Sequence, residues 1–307
     1  MIARLHAFLR DRAASFGLPV MDLLERDAPT GLGAPGIASA NRACRLLRAR
    51  DGWLALNLAR PDDLELVPAL TQGEGEDWDA IVHHVAHCGV TDVHARAIEL
   101  QIPVALPGEA AAQPLARTGG KDVPRKVIDM SALWAGPLCA GLLARAGAEV
   151  LRIDSIGRPD PTPQSSPLLH ARLDAGKAHR ALDLRLPADR ARLLDLVAQA
   201  DVLVTSGRPA ALARLGLEPA RFPHLRWVAI TAHGFTGPGA VRVGFGDDCA
   251  VAGGLLDRTG ETPRFMGDAL ADPLTGLEAA LAVLSGQGGL IDMAMARVAA
   301  AYAGAIV

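Results

Sequence analysis

Two aspartates lie four residues apart in the segment "MGDALADPLTGLEAALAVL", and either could carry chemistry. The spacing of the leucines in "ADPLTGLEAALAVL" (271–284) predicts a helix, with Asp272 as its N-cap and Pro273 in its first turn. The helix dipole and the free N–H groups would hold such a carboxylate ionised. The same groups would suit a nucleophile that attacks an acyl carbon, because neighbouring N–H groups could hold the oxyanion. Local sequence therefore leaves two roles open for Asp272, a helix cap or a nucleophile.

A group of metal-ligand side chains is the next candidate: His83, His84, His87, Cys88 and His94. Three of these histidines share one face of a predicted helix, and no carboxylates are spaced to support them. A zinc site needs four defined ligands, so we expect no metal here. The sequence also lacks the P-loop, G-x-S-x-G and C-x-x-C motifs, which argues against the common NTPase, hydrolase and redox sites.

Composition limits the remaining classes. The chain has 307 residues, of which 50% are hydrophobic and 4% aromatic, which favours an α/β or all-α protein. A net charge of −3 with interspersed signs predicts no nucleic-acid or anionic-membrane surface. The N-terminal segment resembles an amphipathic helix rather than a signal peptide, and no apolar run is long enough to cross a bilayer. Four widely separated cysteines fit a reducing compartment, so we expect a soluble cytoplasmic protein.

The second half alternates strand-like and helix-like runs. The predicted strands are 126–130, 149–154, 180–184, 201–206 and 225–230, and the predicted helices are 136–147, 187–200 and 209–216. This alternation predicts an α/β fold: a Rossmann-like parallel sheet with helices on both faces. Ligands of such sheets bind outside the carboxyl ends of the strands, so the loops after Asp129, Asp154 and Ser206 are candidate sites.

The first half is less regular. It shows a predicted helix at 2–16, a strand at 52–59, and helices near 61–70 and 77–99. We interpret it as a smaller α/β or α+β domain. Residues 107–124 are rich in Pro, Gly and Ala, which indicates a linker between the halves.

The turn after the first strand of the second half could bind a nucleotide. Asp154 ends the next strand, where nucleotide-binding folds hold a ribose hydroxyl, but the turn lacks G-x-G-x-x-G, so a nicotinamide or flavin cofactor is not expected. Ala135, Gly136 and Pro137 lead into a helix N-terminus, which suits a phosphate or an adenine edge. The same residues are equally consistent with a strand-to-helix turn that binds no ligand.

Five segments in order resemble the class III CoA-transferases, the family of formyl-CoA and carnitine-CoA transferases and of α-methylacyl-CoA racemase. They are "VIDMSALWAGPLCAGLLARAGAEVLRID", "DAGKAHRALDL", "DVLVTSGRPAALARLGL", "ITAHGFTGPGA" and "ADPLTGLEAALAVL". The resemblance extends from about Lys126 to Ala300. It implies an acyl-CoA:carboxylate CoA-transferase that takes acyl-CoA and carboxylic acids as substrates and holds no tightly bound cofactor. It also implies a homodimer whose subunits interlock.

In this family an aspartate of the last segment attacks the acyl-CoA, giving a mixed anhydride and then an aspartyl-CoA thioester. The resemblance implies that Asp272 is this nucleophile, with Gly276 and Leu277 in register, and that Asp268 belongs to a loop. The residues that correspond to CoA-binding positions are Ala135, Gly136, Pro137, Asp154, Lys177, Ser206 and Arg214. This chain departs from the family pattern at Ser155 and at the pair Ser206-Gly207.

The order of the segments is unusual for the family. "RDGWLALNLARPDDLELVPAL" and "LQIPVALPGE" resemble a later region of the family but stand in the first half here. We therefore expect residues 1–115 to form the family's small domain in a permuted order. Residues 107–124 would be the linker, and residues 125–307 the Rossmann-like CoA-binding catalytic domain.

Two other functions remain open. The racemases of this family use a His/Asp pair, and the position of their histidine holds Phe245 or Gly246 here. Asp247 and Asp248 could take over the proton transfer, so an α-methylacyl-CoA racemase or epimerase is one alternative. A CoA-binding protein without catalysis is the other.

Overall fold

The computed structural model describes residues 1–27, 31–73 and 75–306. The helices of the first part are α1 (Ile2–Ala13), α2 (Val20–Leu24), α3 (Pro61–Glu65), α4 (Val67–Leu70), α5 (Trp78–His87) and α6 (Val90–Glu99). Its strands are β1 (Cys44–Arg48), β2 (Trp53–Asn57) and β3 (Val104–Ala105). The helices and the one strand predicted for this part are present, whereas β1 was not predicted.

The first part contributes to two cores. Strands β1, β2 and β3 form an antiparallel sheet in that order, and α5 and α6 pack on it through Ile81, Val85, Val93 and Ala97. In contrast, Leu5 and Leu9 of α1 and Leu23 of α2 are buried in the core of the second part. The N-terminal helices are therefore bound to the larger sheet.

The second part contains the larger sheet. Its strands are β4 (Lys126–Met130), β5 (Glu149–Ser155), β6 (Ala178–Leu182), β7 (Val202–Thr205), β8 (Arg226–Thr231), β9 (Leu256–Asp257), β10 (Arg264–Phe265) and β11 (Leu290–Ala294). Its helices are α7 (Ala135–Arg145), α8 (Thr162–Ser165), α9 (Pro167–Asp174), α10 (Pro187–Ala198), α11 (Pro209–Arg214), α12 (Gly246–Ala252), α13 (Ala271–Leu284) and α14 (Met295–Ala305).

Among the described residues, six parallel strands form this sheet in the order β11-β8-β7-β4-β5-β6. The predicted α/β class and parallel sheet are confirmed. The third strand begins two residues earlier than predicted, and β11 was missed because "LIDMA" runs directly into α14 without a turn signal. The strand order reverses between β4 and β7, and ligands of doubly wound sheets bind at such a crevice.

Both faces of the sheet are covered by helices. On one face, α7 and α13 pack on Val127, Val204 and Val228. On the other, Leu193 of α10 and Leu212 of α11 pack with Leu203, Trp227 and Ala229 in a separate core. Alternate residues of one strand thus face opposite layers, as a sheet buried on both sides requires.

Residues 107–124 contain no helix or strand and lie along the second part of the protein. The N–H of Gly108 donates to Val251 O at 3.0 Å, that of Ala110 to Ala252 O at 2.9 Å, and that of Asp122 to Leu284 O at 3.0 Å. This segment follows the ends of α12 and α13 and is fixed to them by backbone hydrogen bonds.

A buried polar network attaches α1 to the second part. The Arg12 guanidinium pairs with the Glu278 carboxylate of α13, and the Tyr302 hydroxyl of α14 donates to the same carboxylate at 2.6 Å. Ala116 adds a backbone N–H to Glu278 at 2.9 Å and accepts from Arg12 at 2.8 Å. The network joins four separate segments, so it fixes the N-terminal helix in one position.

None of the helices within the described ranges combines the length and apolar character that a membrane span requires.

Candidate active site

Asp272 lies in the first turn of α13 and is not its cap. The helix begins at Ala271, and Leu270, which precedes it, makes no side-chain cap bond. Ala269 adopts a left-handed conformation (φ 45°) and its carbonyl accepts the N–H of Asp272 at 2.9 Å. This turn starts the helix two residues earlier than predicted, so the prediction of Asp272 as N-cap is wrong. Its carboxylate is free to face the neighbouring helices.

Two glycines let the surrounding backbone approach this aspartate. A Cβ at Gly246, the first residue of α12, would lie 2.3 Å from Asp272 Oδ2 and 2.4 Å from Ala269 O. A Cβ at Gly276 would lie 2.5 Å from Ala135 O, so α13 and α7 also need a glycine at their crossing. The resemblance placed Gly276 in register with the family motif, and close helix packing is its physical role here.

The carboxylate of Asp272 has competing electrostatic influences. Burial raises its pKa to about 7, and the charges of Asp248 and Asp268 act in the same direction. The charge of Arg26 and the backbone N–H of Ala135, at the start of α7, lower it. The sequence predicts that the helix dipole and free N–H groups hold this carboxylate ionised, and burial together with like charges opposes that effect. Asp272 nevertheless keeps part of its surface open to solvent.

Two further buried carboxylates lie on α12. Asp247 accepts the N–H of Ala269 at 2.8 Å, and Asp248 accepts the Asn57 amide at 2.8 Å and the N–H of Phe245 at 3.0 Å. Burial raises the pKa of each to about 7. Both are less than 4% exposed, so these two carboxylates lie in the protein interior beside Asp272 and do not face solvent.

Asp268 is held by a cation from the first part of the chain. Arg26 donates from Nε and Nη2 to its two oxygens at 2.6 and 2.7 Å. Asp268 thus belongs to the loop before α13, where the resemblance places it, but it has a defined ion pair.

A histidine also lies near these carboxylates. Ligand-type atoms of His233, Asp248 and Cys249 lie within 4.8 Å of one another. Burial lowers the pKa of His233 to about 4, and its Nε2 is buried without a hydrogen-bond partner among the described residues. Asp248 and the Cys249 thiol already have protein partners, the thiol donating to Ala232 O at 3.6 Å. Within the part of the chain that the structure describes, these contacts satisfy Asp248 and Cys249, and His233 Nε2 is left without a partner.

The predicted CoA turn is rigid. A Cβ at Gly136 would lie 2.2 Å from the Cβ of Ser131, so the turn after β4 closes tightly on the start of α7. Ala135 and Pro137 are also buried. Lys177 donates to Asp129 at 2.8 Å and to Pro137 O at 2.9 Å, and its side chain is fully buried. We therefore assign Lys177 to holding this turn, because its ammonium group faces no solvent.

The other predicted CoA-binding residues lie in more open positions. Asp154, near the end of β5, is 43% exposed and pairs with Arg152 at 3.1 Å and with His179 at 2.9 Å. Ser206 follows β7, is exposed, and accepts the N–H of Ala132 at 3.0 Å. This bond joins the loops after β4 and β7 across the crevice where the strand order reverses. Arg214 is exposed in the last turn of α11.

The side chains of the histidine-rich segment lie on two helices, α5 and α6. The ring centroids of His83 and His87 lie 4.6 Å apart on α5 with the rings tilted, while His84 is buried beside Cys88 at 3.6 Å. His94 lies on α6 and contacts Glu109 at 3.1 Å. The five side chains thus divide among different environments.

Two surface clefts lie apart from Asp272. One of about 540 Å³ is lined by residues that include Gln113, Arg117 and Arg297, and one of about 420 Å³ by residues that include Trp53 and Arg258. Neither is lined by the carboxylates described above.

Sequence reasoning missed three residues near the site: Arg26, Asn57 and His233. Arg26 and Asn57 come from the first part, outside the five segments, and only the folded chain brings them to α12 and α13. His233 stands in a recognised segment but faces Asp248 of the next one. No spacing rule would connect these positions.

Comparisons with known proteins agree with this arrangement. Residues 125–307 match the model of the family described as CoA-transferase family III. An acyl-CoA transferase of Fusarium pseudograminearum is 31% identical over 198 residues, which are 57% of this chain and 43% of the relative. A succinyl-CoA–D-citramalate CoA-transferase of Chloroflexus aurantiacus is 31% identical over 190 residues, which are 55% of this chain and 47% of the relative.

Solved structures show the same fold. A protein of the CAIB/BAIF family from Brucella suis superposes with a TM-score of 0.52 at 31% identity, over 57% of this chain and 53% of that one. The chain spans about half the length of the curated relatives it matches. The family match covers more than half of this chain and includes the sheet, the turn after β4 and Asp272. The protein therefore belongs to CoA-transferase family III.

Proposed function

We propose that this protein is an acyl-CoA:carboxylate CoA-transferase with Asp272 as its nucleophile. The supporting observation is a half-buried aspartate whose carboxylate is enclosed by α7 and α12 and has a pKa near 7. It lies against Ala135, the start of the helix that follows β4, and thus beside the crevice of the sheet.

The first half-reaction breaks the thioester. An oxygen of Asp272 bonds to the acyl carbon, the carbon–sulfur bond breaks, and CoA leaves as thiolate. The thiolate then attacks the Asp272 carboxyl carbon of the resulting mixed anhydride and releases the first carboxylic acid as carboxylate. An aspartyl-CoA thioester remains on the protein.

The second half-reaction reverses these steps with another acid. The acceptor carboxylate attacks the aspartyl-CoA thioester and expels CoA thiolate, which gives a new mixed anhydride. The thiolate attacks the acceptor's acyl carbon and releases the Asp272 carboxylate. One thioester is consumed and one is formed, so the transfer needs no external energy source.

The surroundings of Asp272 suit this chemistry. A carboxylate that is partly removed from water is a stronger nucleophile, and a pKa near 7 leaves about half of it ionised at neutral pH. The N–H of Ala135 faces the carboxylate and can stabilise the oxyanion of each tetrahedral intermediate. Pro273 offers no N–H, so this task falls to the start of α7.

We propose that CoA binds across the crevice between β4 and β7. The turn of Ala135, Gly136 and Pro137 would face its phosphates, with Ser206 beside them on the facing loop. Asp154 and Arg214 would contact the nucleotide end. Exposure of Asp154, Ser206 and Arg214 supports this assignment.

The reaction is tested by measuring CoA transfer from an acyl-CoA donor to a carboxylic acid acceptor. Several relatives are named for succinyl-CoA with D-citramalate, L-malate or glutarate, so succinyl-CoA with dicarboxylate acceptors is the first set to screen, with products detected by mass. Asp272→Ala should abolish transfer, whereas Asp195→Ala, on the exposed surface of α10, should retain it. Unchanged transfer by Asp272→Ala would exclude the proposed mechanism. A protein that binds CoA but never transfers it would support the non-catalytic alternative.

One observation favours a second candidate, an acyl-CoA racemase or epimerase. The buried His233 lies beside Asp248, so a His/Asp pair exists although the expected sequence position lacks histidine. Incubation with a 2-methylacyl-CoA in D₂O separates the two functions. Deuterium at the α-carbon without any acid acceptor would favour the racemase.

We also propose a cytoplasmic homodimer with residues 1–115 as the family's small domain in permuted order. Free cysteines support a reducing compartment, and the small antiparallel sheet with α5 and α6 supports a separate first domain. Light scattering coupled to gel filtration measures the assembly. A monomeric mass at micromolar concentration would contradict the dimer.

A further inference from the structure

The segment that follows α2 is fixed to α9 at two of its residues. The Asp27 carboxylate accepts the N–H of Leu169 at 2.8 Å and that of Leu168 at 3.1 Å, and thereby caps the first turn of α9. The Glu25 carbonyl accepts a hydrogen bond from the Arg172 guanidinium on the same helix. This segment lies outside the family match, which begins at residue 125.

Arg26, between these two anchors, extends toward the site. Its guanidinium binds both oxygens of Asp268 and lies 5.8 Å from the ring centroid of Trp134, the residue before α7. The Arg26 side chain is 19% exposed, and its Nε and Nη2 form the ion pair with Asp268. The guanidinium therefore bridges the loop before Asp272 and the turn that presents the Ala135 N–H.

The charges around Asp272 make this cation important. Asp247, Asp248 and the Cys249 thiol act on it from α12, and Asp268 from the preceding loop. From α7, the uncharged N–H of Ala135 reaches it. Of the groups that act most strongly on the Asp272 charge, Arg26 is the cation.

We propose that Arg26 is a positioning residue for Asp272. It clamps Asp268, orders the loop that leads into α13, and places a fixed positive charge beside the nucleophile. The inference rests on the proposed transferase function and adds that a residue from outside the matched family region completes its site. Burial would lower the pKa of Arg26, but Asp268, Asp247 and Asp272 raise it above its ordinary value, as expected for a cation held among carboxylates.

The pH profile of transfer tests this role with Arg26→Gln. Without the cation, Asp272 ionises less readily. If the ionisation constant of Asp272 falls tenfold from a pKa of about 7, kcat/KM falls about eightfold at pH 6.5 but less than twofold at pH 8.5. Arg26→Lys keeps the charge and should keep the midpoint close to that of the wild type. A loss of equal size at every pH in Arg26→Gln would overturn the proposal.

Arg172→Gln is the matched control. It removes the contact to Glu25 O and loosens the same segment without changing the charge at Asp272. We expect its pH midpoint to stay unchanged. A shift as large as that of Arg26→Gln would assign the effect to the segment's docking and overturn the proposal.

A second measurement does not depend on turnover. In ¹³C-aspartate-labelled protein, the Asp272 carboxyl resonance is identified by its loss in Asp272→Asn and titrated by NMR. A higher midpoint in Arg26→Gln supports the role of Arg26 even if no transfer is detected, in which case the proposed function fails alone. An unchanged midpoint overturns the positioning role whatever the activity.

Discussion

At the residue scale, the protonation of Asp272 connects the structure with the reaction. Burial works against ionisation, while Arg26 and the Ala135 N–H work for it, and the balance places the pKa at about 7. A carboxylate with its ordinary pKa would be ionised at neutral pH but would be more strongly solvated and less reactive. In the proposed mechanism, Asp272 is therefore less completely ionised at neutral pH, and its ionised form is more nucleophilic.

Transfer should therefore depend on pH in a defined way. In the proposed mechanism only ionised Asp272 attacks, so kcat/KM should fall as pH decreases through about 7, provided that the folded protein persists. The measurement is kcat/KM between pH 5 and pH 9, with circular dichroism at each pH as the control for folding. A midpoint near 4 would show that burial does not control this carboxylate.

Asp247 allows a test of burial through stability. Its folded pKa of about 7 lies above the unfolded value of 3.8, so its stabilising effect is complete below about pH 4 and is lost as pH rises to 7. Asp247→Asn removes the charge but can still accept the Ala269 N–H. We expect it to increase the free energy of unfolding by about 1–4 kcal/mol at pH 8, and by much less at pH 4, in urea titrations. Equal effects at both pH values would contradict the burial argument.

Gly246 tests how closely α12 must approach the nucleophile. In Gly246→Ala the new Cβ would meet Asp272 Oδ2 at 2.3 Å and Ala269 O at 2.4 Å, so the carboxylate or the loop must move. We expect at least a tenfold loss of kcat, since small displacements of a nucleophile have such effects (about 10²-fold for 1 Å). Gly304→Ala, where a Cβ meets nothing within 4 Å, is the control and should leave kcat unchanged.

At the element scale, α7, α12 and α13 surround Asp272, and α1 packs against α13 through the Arg12–Glu278 pair. The Arg12–Glu278–Tyr302 network fixes α1 to α13 and α14. Glu278 is 1% exposed, and burial together with the Glu278 charge raises the pKa of Tyr302 well above its ordinary value. A buried carboxylate needs these partners, so their removal should be costly.

A double-mutant cycle measures this network. Arg12→Met leaves Glu278 buried without its cation and should lower the free energy of unfolding by about 3–5 kcal/mol. Arg12→Met combined with Glu278→Gln should be less destabilised than the sum of the single variants, because no charge is then left unpaired. Strict additivity in urea unfolding would show that the pair is not coupled.

The elements also show what sequence can predict. Alternating runs predicted the parallel sheet and its two helix layers, because strands buried on both faces leave a strong signal. The start of α13 was misplaced because a left-handed alanine, Ala269, precedes it, and that conformation has no sequence signature. Arg26 and His233 reach the site through tertiary packing, which local patterns do not record.

At the scale of the whole molecule, two parts of the chain form one functional unit. The helices α1 and α2 lie in the core of the second part, and Arg26 and Asn57 reach the carboxylates of α12 and the α13 loop. The family region alone, residues 125–307, would lack these contacts.

Cutting the linker tests this unity. Arg117 and Thr118 are exposed, so a protease site inserted between them can be cleaved without removing a buried contact. We expect the two pieces to remain associated in gel filtration, because the buried faces of α1 and α2 hold them. Separation without denaturant would contradict this account.

Trapping with hydroxylamine tests whether Asp272 becomes acylated during transfer. During turnover with an acyl-CoA, hydroxylamine should convert the aspartyl anhydride or thioester into a hydroxamate, which peptide mass spectrometry locates. The account predicts a hydroxamate on Asp272 that forms only with acyl-CoA present and is absent in Asp272→Asn. Sustained transfer by the wild type with an unmodified Asp272, or with the label on another residue, would contradict it.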